Sequence, residues 1–299
     1  MSDAPTTLPV CYRHPSRETY VRCTRCNRPI CPDCMTAASV GHQCPECVAE
    51  GRRSQRPVRT AFGGSVAGRS GVATKTLVGL NVIVAVFSVA TGGMGSIAGG
   101  GLGGLLGRST PLTDWGSVLG LATYGGAVHG IAHGEYYRLI TAMFLHFGLL
   151  HLLLNMYALW ILGTNLERAL GPLRFTLLYL LAGLGGNVAA YLFAAPNTPT
   201  AGASTAVFGI MAAIFVILKR LRMSVAPIVP VIVINVIFTF TIANISVAGH
   251  LGGLAVGAIV AAILAYAPRT RRNLVQAVGC GLVLALLLVL TVYRTMMLT

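Results

Sequence analysis

Gly202-Ala203-Ser204-Thr205-Ala206-Val207-Phe208-Gly209 sets one hydroxyl among small residues, at the head of an apolar run that continues to Leu218. A serine in such a run commonly bonds back to its own backbone and does nothing else. Whether it does more here depends on what the chain brings beside it. The run itself decides the fold class. No Asp, Glu, Lys or Arg occurs between Arg174 and Lys219, or between Arg222 and Arg269. Each gap exceeds the roughly 20 apolar residues that cross a bilayer. Of the 299 residues, 55% are hydrophobic and 10% charged, whereas soluble domains carry about a quarter charged. Mean hydropathy is +0.73. The chain reads as an all-α polytopic membrane protein.

Outward from that run, spans are expected near 76–90, 142–163, 173–194, 203–221, 226–244, 247–267 and 274–293, seven in all. The stretch Gly92 to Gly107 is too rich in glycine to propagate a helix. The connection that follows carries Asp114, Trp115, Glu135, Tyr136, Tyr137 and Arg138, aromatics beside charge that suit a membrane interface. The net charge of +14 is not gathered into a basic run with interleaved aromatics, so nucleic acid is not an expected partner. The basic residues stand at span ends instead. With the N-terminus cytoplasmic, Arg168, Arg174, Lys219, Arg220, Arg222, Arg269, Arg271 and Arg272 lie inside, and Arg108, Arg138 and Arg294 outside. That asymmetry follows the positive-inside rule and puts the C-terminus outside, in the cell membrane. The first 70 residues hold no apolar core of a signal peptide.

Seven of the eight cysteines fall between Cys11 and Cys47. After a loose tail over 1–10 they read Cys11-x2-His14, Cys23-x2-Cys26, Cys31-x2-Cys34 and His42-x-Cys44-x2-Cys47. Thiolate and imidazole in four pairs suit two tetrahedral zinc ions, and a unit this small needs such staples. Closed four-ligand sites leave no open position for a reaction, so the metal is expected to be structural. Residues 1–50 form this module and 51–74, rich in Arg, Gly and Ser, a flexible basic linker. The membrane domain takes 75–299. Cys280 reads as a small apolar filler.

The polar residues within the spans converge. Ser204 opens the fourth span, His250 stands one turn into the sixth, and His151 and Asn155 lie four apart on the second. By the charge-derived topology all are at outer ends, and polar groups inside spans are costly and usually functional. A hydroxyl is a weak nucleophile that needs an adjacent base, which His250 can be. Free N–H groups at the helix start, with side-chain donors from His151 and Asn155, suit an oxyanion at about 3 kcal/mol per donor. The carboxylates of the membrane half are Asp114 and Glu135, on the first loop, and Glu167, at the inner end of its span. A Ser–His dyad is therefore expected rather than a triad. Gly249, Gly253 and Gly257 repeat every four residues, and Gly202, Ala206 and Gly209 offer a small face opposite. Such faces let two backbones approach, though they also serve plain packing. A transporter would want broken helices and midplane charges, and neither is evident.

These motifs resemble the rhomboid family of intramembrane serine proteases from about Thr76 to the end. Gly202-Ala203-Ser204 is similar to its nucleophile motif, and Ala248-Gly249-His250-Leu251-Gly252-Gly253 with Gly257 to its histidine motif. His151-x3-Asn155, preceded by Phe144-Leu145-His146, is similar to its oxyanion motif. Glu135-Tyr136-Tyr137-Arg138-Leu139 resembles the Trp-Arg stretch of its first loop, and Leu166-Glu167-Arg168 the turn after its second span. The resemblance implies a six-helix core with a seventh C-terminal helix, transmembrane proteins entering from the bilayer as substrates, a polar cavity around Ser204, and Phe208 stacked on His250. It implies no cofactor for catalysis. Two residues depart from the pattern: Thr205 where the family has Gly, and Tyr137 where it has Trp. Thr205 keeps a client-binding pseudoprotease as the alternative. The cysteine-rich module resembles a B-box zinc finger, which implies that Cys11, His14, Cys31 and Cys34 hold one zinc, and Cys23, Cys26, Cys44 and Cys47 the other, with His42 a substitute ligand. Its surface is expected to serve a protein partner.

Overall fold

A computed structural model describes residues 8–54, 59–65, 71–96, 108–242 and 245–299. Most of the expected tail, 55–58 and 66–70 of the linker, 97–107 of the Gly-rich stretch and 243–244 of the fifth expected span lie outside the described residues. The chain divides into two compact units, Met1–Pro57 and Val58–Thr299.

In the first unit, isolated bridges join Val10 to Glu18 and Arg22 to Pro29. Strands β1 (Thr36–Ala37) and β2 (His42–Gln43) pair antiparallel, and helix α1 spans Pro45–Ser54. Its buried core is six cysteines around Ile30. One aliphatic side chain cannot offset the ordering of some forty residues.

In the second unit α2 (Val72–Gly92) is followed by a folded loop. The loop holds α3 (Pro111–Gly116), the hairpin β3 (Ala122–Tyr124) and β4 (Ala127–His129), and α4 (Arg138–Thr141). Helix α5 (Leu149–Ala158) runs through a π turn into α6 (Thr164–Leu170). Then come α7 (Pro172–Phe193), α8 (Ser204–Arg220), α9 (Val229–Thr241), α10 (Val247–Tyr266) and α11 (Arg272–Leu298). Helices α2, α5–α6, α7, α10 and α11 are long and apolar enough to cross a membrane. At 17 and 13 residues α8 and α9 are shorter than the spans expected for them. The second span differs most from expectation: it starts at Leu149, because Gly148 at φ +88° and the 3-10 turn Ala142–Phe144 stop the helix from running back to 142.

Apolar attraction cannot hold helices together in lipid, so close packing must. Glycines supply it. A Cβ on Gly253 would collide with Thr205 O, and one on Gly257 with Gly209 Cα, so α8 and α10 touch backbone to backbone. A Cβ on Gly186 of α7 would stand 2.5 Å from Gly249 O and 2.6 Å from Thr205 Cβ. Helix α7 is the hub, with Phe175, Leu178, Tyr179 and Ala182 fully buried. Outside the bundle, Leu282, Leu286 and Val289 of α11 are exposed to what is lipid in a membrane.

The basic ends of the helices meet at one end of the bundle. Arg174 Nε donates to Gln276 Oε1 at 2.8 Å and Arg220 Nε to Ala265 O at 3.2 Å. Part of the linker joins this end: Phe62 is buried in the core and its carbonyl accepts from Gln276 Nε2 at 3.3 Å. A side chain on Gly64 would collide with Leu170 O. The stretch 59–65 is thus part of the membrane unit, where a flexible linker was expected. Glu167 is here too, 3% exposed. Its carboxylate accepts from Ala73 N (3.0 Å), Thr74 N (2.8 Å) and Thr74 Oγ1 (2.7 Å), satisfying the first free donors of α2. Glu167→Ala should lower stability by about 3 kcal/mol, because charge-assisted bonds vanish and buried donors stay unpaired. Unfolding of the purified chain in mixed micelles measures this, and an unchanged midpoint would rule out the cap.

Candidate active site

Ser204 sits at the first turn of α8, at the end of the bundle opposite the basic cluster, and the loop before it is tightly held. Gly202 has φ +140°, and its N–H donates to Ala142 O at 2.9 Å. A Cβ there would stand 2.8 Å from His151 Nε2 and 3.3 Å from Ser204 Oγ. Glycine is therefore required twice, for backbone and for space. Ala203 N donates to His146 Nε2 at 3.4 Å, and the His146 and His151 rings meet edge to face at 5.1 Å. These contacts turn Ser204 toward α10.

There Ser204 Oγ lies 2.8 Å from His250 Nε2. The Phe208 ring stacks on His250 with centroids 4.2 Å apart and planes 19° apart. Behind the imidazole, Nδ1 lies 2.7 Å from Thr239 Oγ1 on α9. His151 flanks the same space as Ser204 Oγ, across Gly202. Asn155 is 6% exposed one turn along, with Nδ2 donating to His151 O at 2.9 Å. Gly253 and Gly257 lie beneath, at the α8–α10 contact. The arrangement can pass the Ser204 proton to His250 and offers donors near Ser204 for a developing negative charge.

Thr205 does not crowd the site: its side chain is buried among Gly186 and Gly249, which lack the side chains that would exclude it. A cavity of about 610 Å³ opens beside the start of α10, lined mainly by apolar groups such as Ala189, Phe193, Ile245 and Leu251, and Ser204 and His250 are not in its walls.

The loop that covers this end is held by buried Arg138. It donates to Glu135 Oε2 (2.7 Å), Asp114 O (2.7 Å) and Ser117 O (3.1 Å). Glu135 also accepts from Gly130 N at 2.6 Å and lies 3.1 Å from His129 Nδ1. Burial raises its pKa, but His129, Arg138 and the Gly130 N–H together hold it below the usual carboxylate value. Tyr137, the departure in this stretch, stacks on Trp115 at 4.7 Å. Thr239 escaped the sequence reading because nothing distinguishes it there from Thr241, which merely bonds back to Ile237 O.

In the first unit the ligand atoms of Cys11, His14, Cys31 and Cys34 gather within 4.8 Å of one another, as do those of Cys23, Cys26, Cys44 and Cys47. His14 Nδ1 lies 3.2 Å from Cys31 Sγ and 3.4 Å from Cys34 Sγ, and Cys26 and Cys44 are 3.7 Å apart. A tetrahedral ion with metal–sulfur bonds near 2.3 Å needs ligand edges of about 3.7 Å, so both groups fit a metal. His42 belongs to neither group. It is fixed in β2 opposite Ala37, and four cysteines already complete the second set.

Two helices of a membrane bundle thus bring a serine hydroxyl and a histidine ring into contact. Residues 133–267 match the family model described as Rhomboid domain. The rhomboid protease GluP of Bacillus subtilis (strain 168) is 43% identical over 139 residues, covering 45% of this chain and 27% of GluP. YdcA of the same organism is 35% identical over 145 residues, covering 47% of this chain and 73% of YdcA. The inactive RHOMBOID-like protein 8 of Arabidopsis thaliana is 36% identical over 86 residues, covering 29% of this chain and 24% of that protein. The chain belongs to the rhomboid family. It spans about a quarter of GluP and about three quarters of YdcA.

The two ligand groups generate a test. Metal analysis of the full chain should find two ions of a thiophilic divalent metal per molecule, and a strong chelator should unfold the first unit. Less than one ion per chain would overturn both sites.

Proposed function

We propose that this protein is an intramembrane serine endopeptidase that cuts transmembrane segments of other proteins. The reading is carried by the 2.8 Å contact between Ser204 Oγ and His250 Nε2, made between two helices inside a membrane bundle. In the proposed reaction His250 Nε2 takes the Ser204 proton as Oγ adds to the scissile carbonyl. The oxyanion so formed is met by the Ser204 N–H and by the side chains of His151 and Asn155. His250 then hands its proton to the leaving amine, the C–N bond breaks, and an acyl-serine remains. Water adds to the ester with His250 as base, and Ser204 regains its proton as the acid leaves.

The remaining proposals follow from charge and chemistry. The zinc module over 1–50 is cytoplasmic, because the basic helix ends follow the positive-inside rule, and Ser204 lies near the outer face of the cell membrane. Zinc is the proposed metal of both sulfur-rich groups, in a structural role. A relative named inactive makes a client-binding pseudoprotease the second reading. Against it stands Thr205, whose side chain packs among the glycines of α7 and α10.

A fluorophosphonate probe separates these readings, since only an activated serine reacts. The full chain in native lipid should be labelled, and Ser204→Ala and His250→Ala should each cut labelling by at least about 100-fold while remaining folded. A folded wild-type chain that resists the probe would support the pseudoprotease instead.

A further inference from the structure

His250 has two ring nitrogens, and only Nε2 faces Ser204. Nδ1 points toward Thr239 Oγ1 at 2.7 Å, on a third helix. Thr239 is 2% exposed, and its hydroxyl is also 2.8 Å from Asn235 O. A carbonyl only accepts, so the Thr239 proton goes to Asn235 O. The oxygen's remaining capacity is to accept, and the N–H it accepts from is that of His250 Nδ1. The neutral imidazole is then held as the Nδ1–H tautomer, leaving Nε2 bare to take the Ser204 proton.

We propose that Thr239 is the positioning residue of the dyad. It stands where a carboxylate stands behind the histidine of a Ser-His-Asp site, and selects tautomer and ring orientation without bringing a charge into the membrane. The stacked Phe208 fixes the plane of the ring but not which way round it lies in that plane. A half-turn of the ring would set carbon against the Thr239 oxygen and remove the acceptor from Ser204. The hydroxyl distinguishes the two orientations. An ionised carboxylate at this place would need compensation that no neighbouring cation provides among the contacts of His250, Thr239 and Ser204. Thr241, two residues beyond on the same helix, gives an internal control, because among the described residues its hydroxyl bonds to carbonyls of its own helix.

The proposal rests on the Ser–His reading of the site, and two readouts keep them separable. Full-length chain with ¹⁵N-labelled histidine in lipid nanodiscs reports the tautomer of His250, assigned by the signal lost in His250→Ala. The wild-type chain and Thr241→Val should show protonated Nδ1 and bare Nε2. The nearly isosteric Thr239→Val should lose that preference, and Thr239→Ser should keep it. In parallel, the rate at which a fluorophosphonate modifies Ser204 should fall about 100-fold in Thr239→Val, as expected for a misassigned general base. It should stay within about threefold of wild type in Thr239→Ser and Thr241→Val. Wild-type tautomer signals in Thr239→Val overturn the proposal. So does a Thr239→Ser rate as low as that of Thr239→Val, which would assign the residue to packing. A wild-type chain with the Nδ1–H signal but no phosphonylation overturns the dyad reading while supporting the tautomer assignment.

Discussion

The backbone-to-backbone contact between α8 and α10 is the constraint on which the site depends. Ser204 and His250 have short reach, and they meet at 2.8 Å where Gly253 and Gly257 let the backbone of α10 come against that of α8. Gly253 against Thr205 O and Gly257 against Gly209 leave no room for a methyl group on either turn. In lipid this packing replaces the hydrophobic drive of a soluble core. Helix α7 closes the third side with Gly185 and Gly186, which accept Val256 and Thr205 from the facing helices.

The charged groups Glu167 and Arg138 are placed where partners are supplied, whereas Asn81 Oδ1, His146 Nδ1, Tyr179 Oη and Thr205 Oγ1 are buried without a hydrogen-bond partner among the described residues. Glu167 spends its charge on the start of α2, and Arg138 its donors on the carbonyls and carboxylate of the covering loop. Both lie at ends of the bundle, where they fix connections. The dyad is the exception. Its hydroxyl and imidazole pair with each other and with Thr239, a chain of neutral groups that adds no net charge to the apolar interior.

Much of this was legible in the sequence. Charge-free runs gave the helices, and the spacing of His151 with Asn155, the Gly249–Gly253–Gly257 repeat and the cysteine pairs gave the candidate chemistry. What the sequence could not give was set by backbone turns and by tertiary pairing. Gly148 starts the second helix late, and Phe62 draws a stretch that reads as linker into the core. The space that Thr205 fills is not legible in the sequence, because its neighbours Gly186 and Gly249 are distant in sequence from it. Thr239 was invisible for the same reason, being an ordinary threonine until α9 sets it behind His250. His42 has the chemistry of a ligand, but it is held in β2 opposite Ala37 and belongs to neither group.

The central claim is that Ser204 is the nucleophile of a membrane-embedded endopeptidase. Comparing membrane-protein fragments from cells that express the wild-type chain or Ser204→Ala at equal levels tests this most directly. The account predicts released fragments with new termini in or beside transmembrane segments, present only with Ser204. Identical fragment profiles from the two cell lines, with both proteins folded in the membrane, would contradict it.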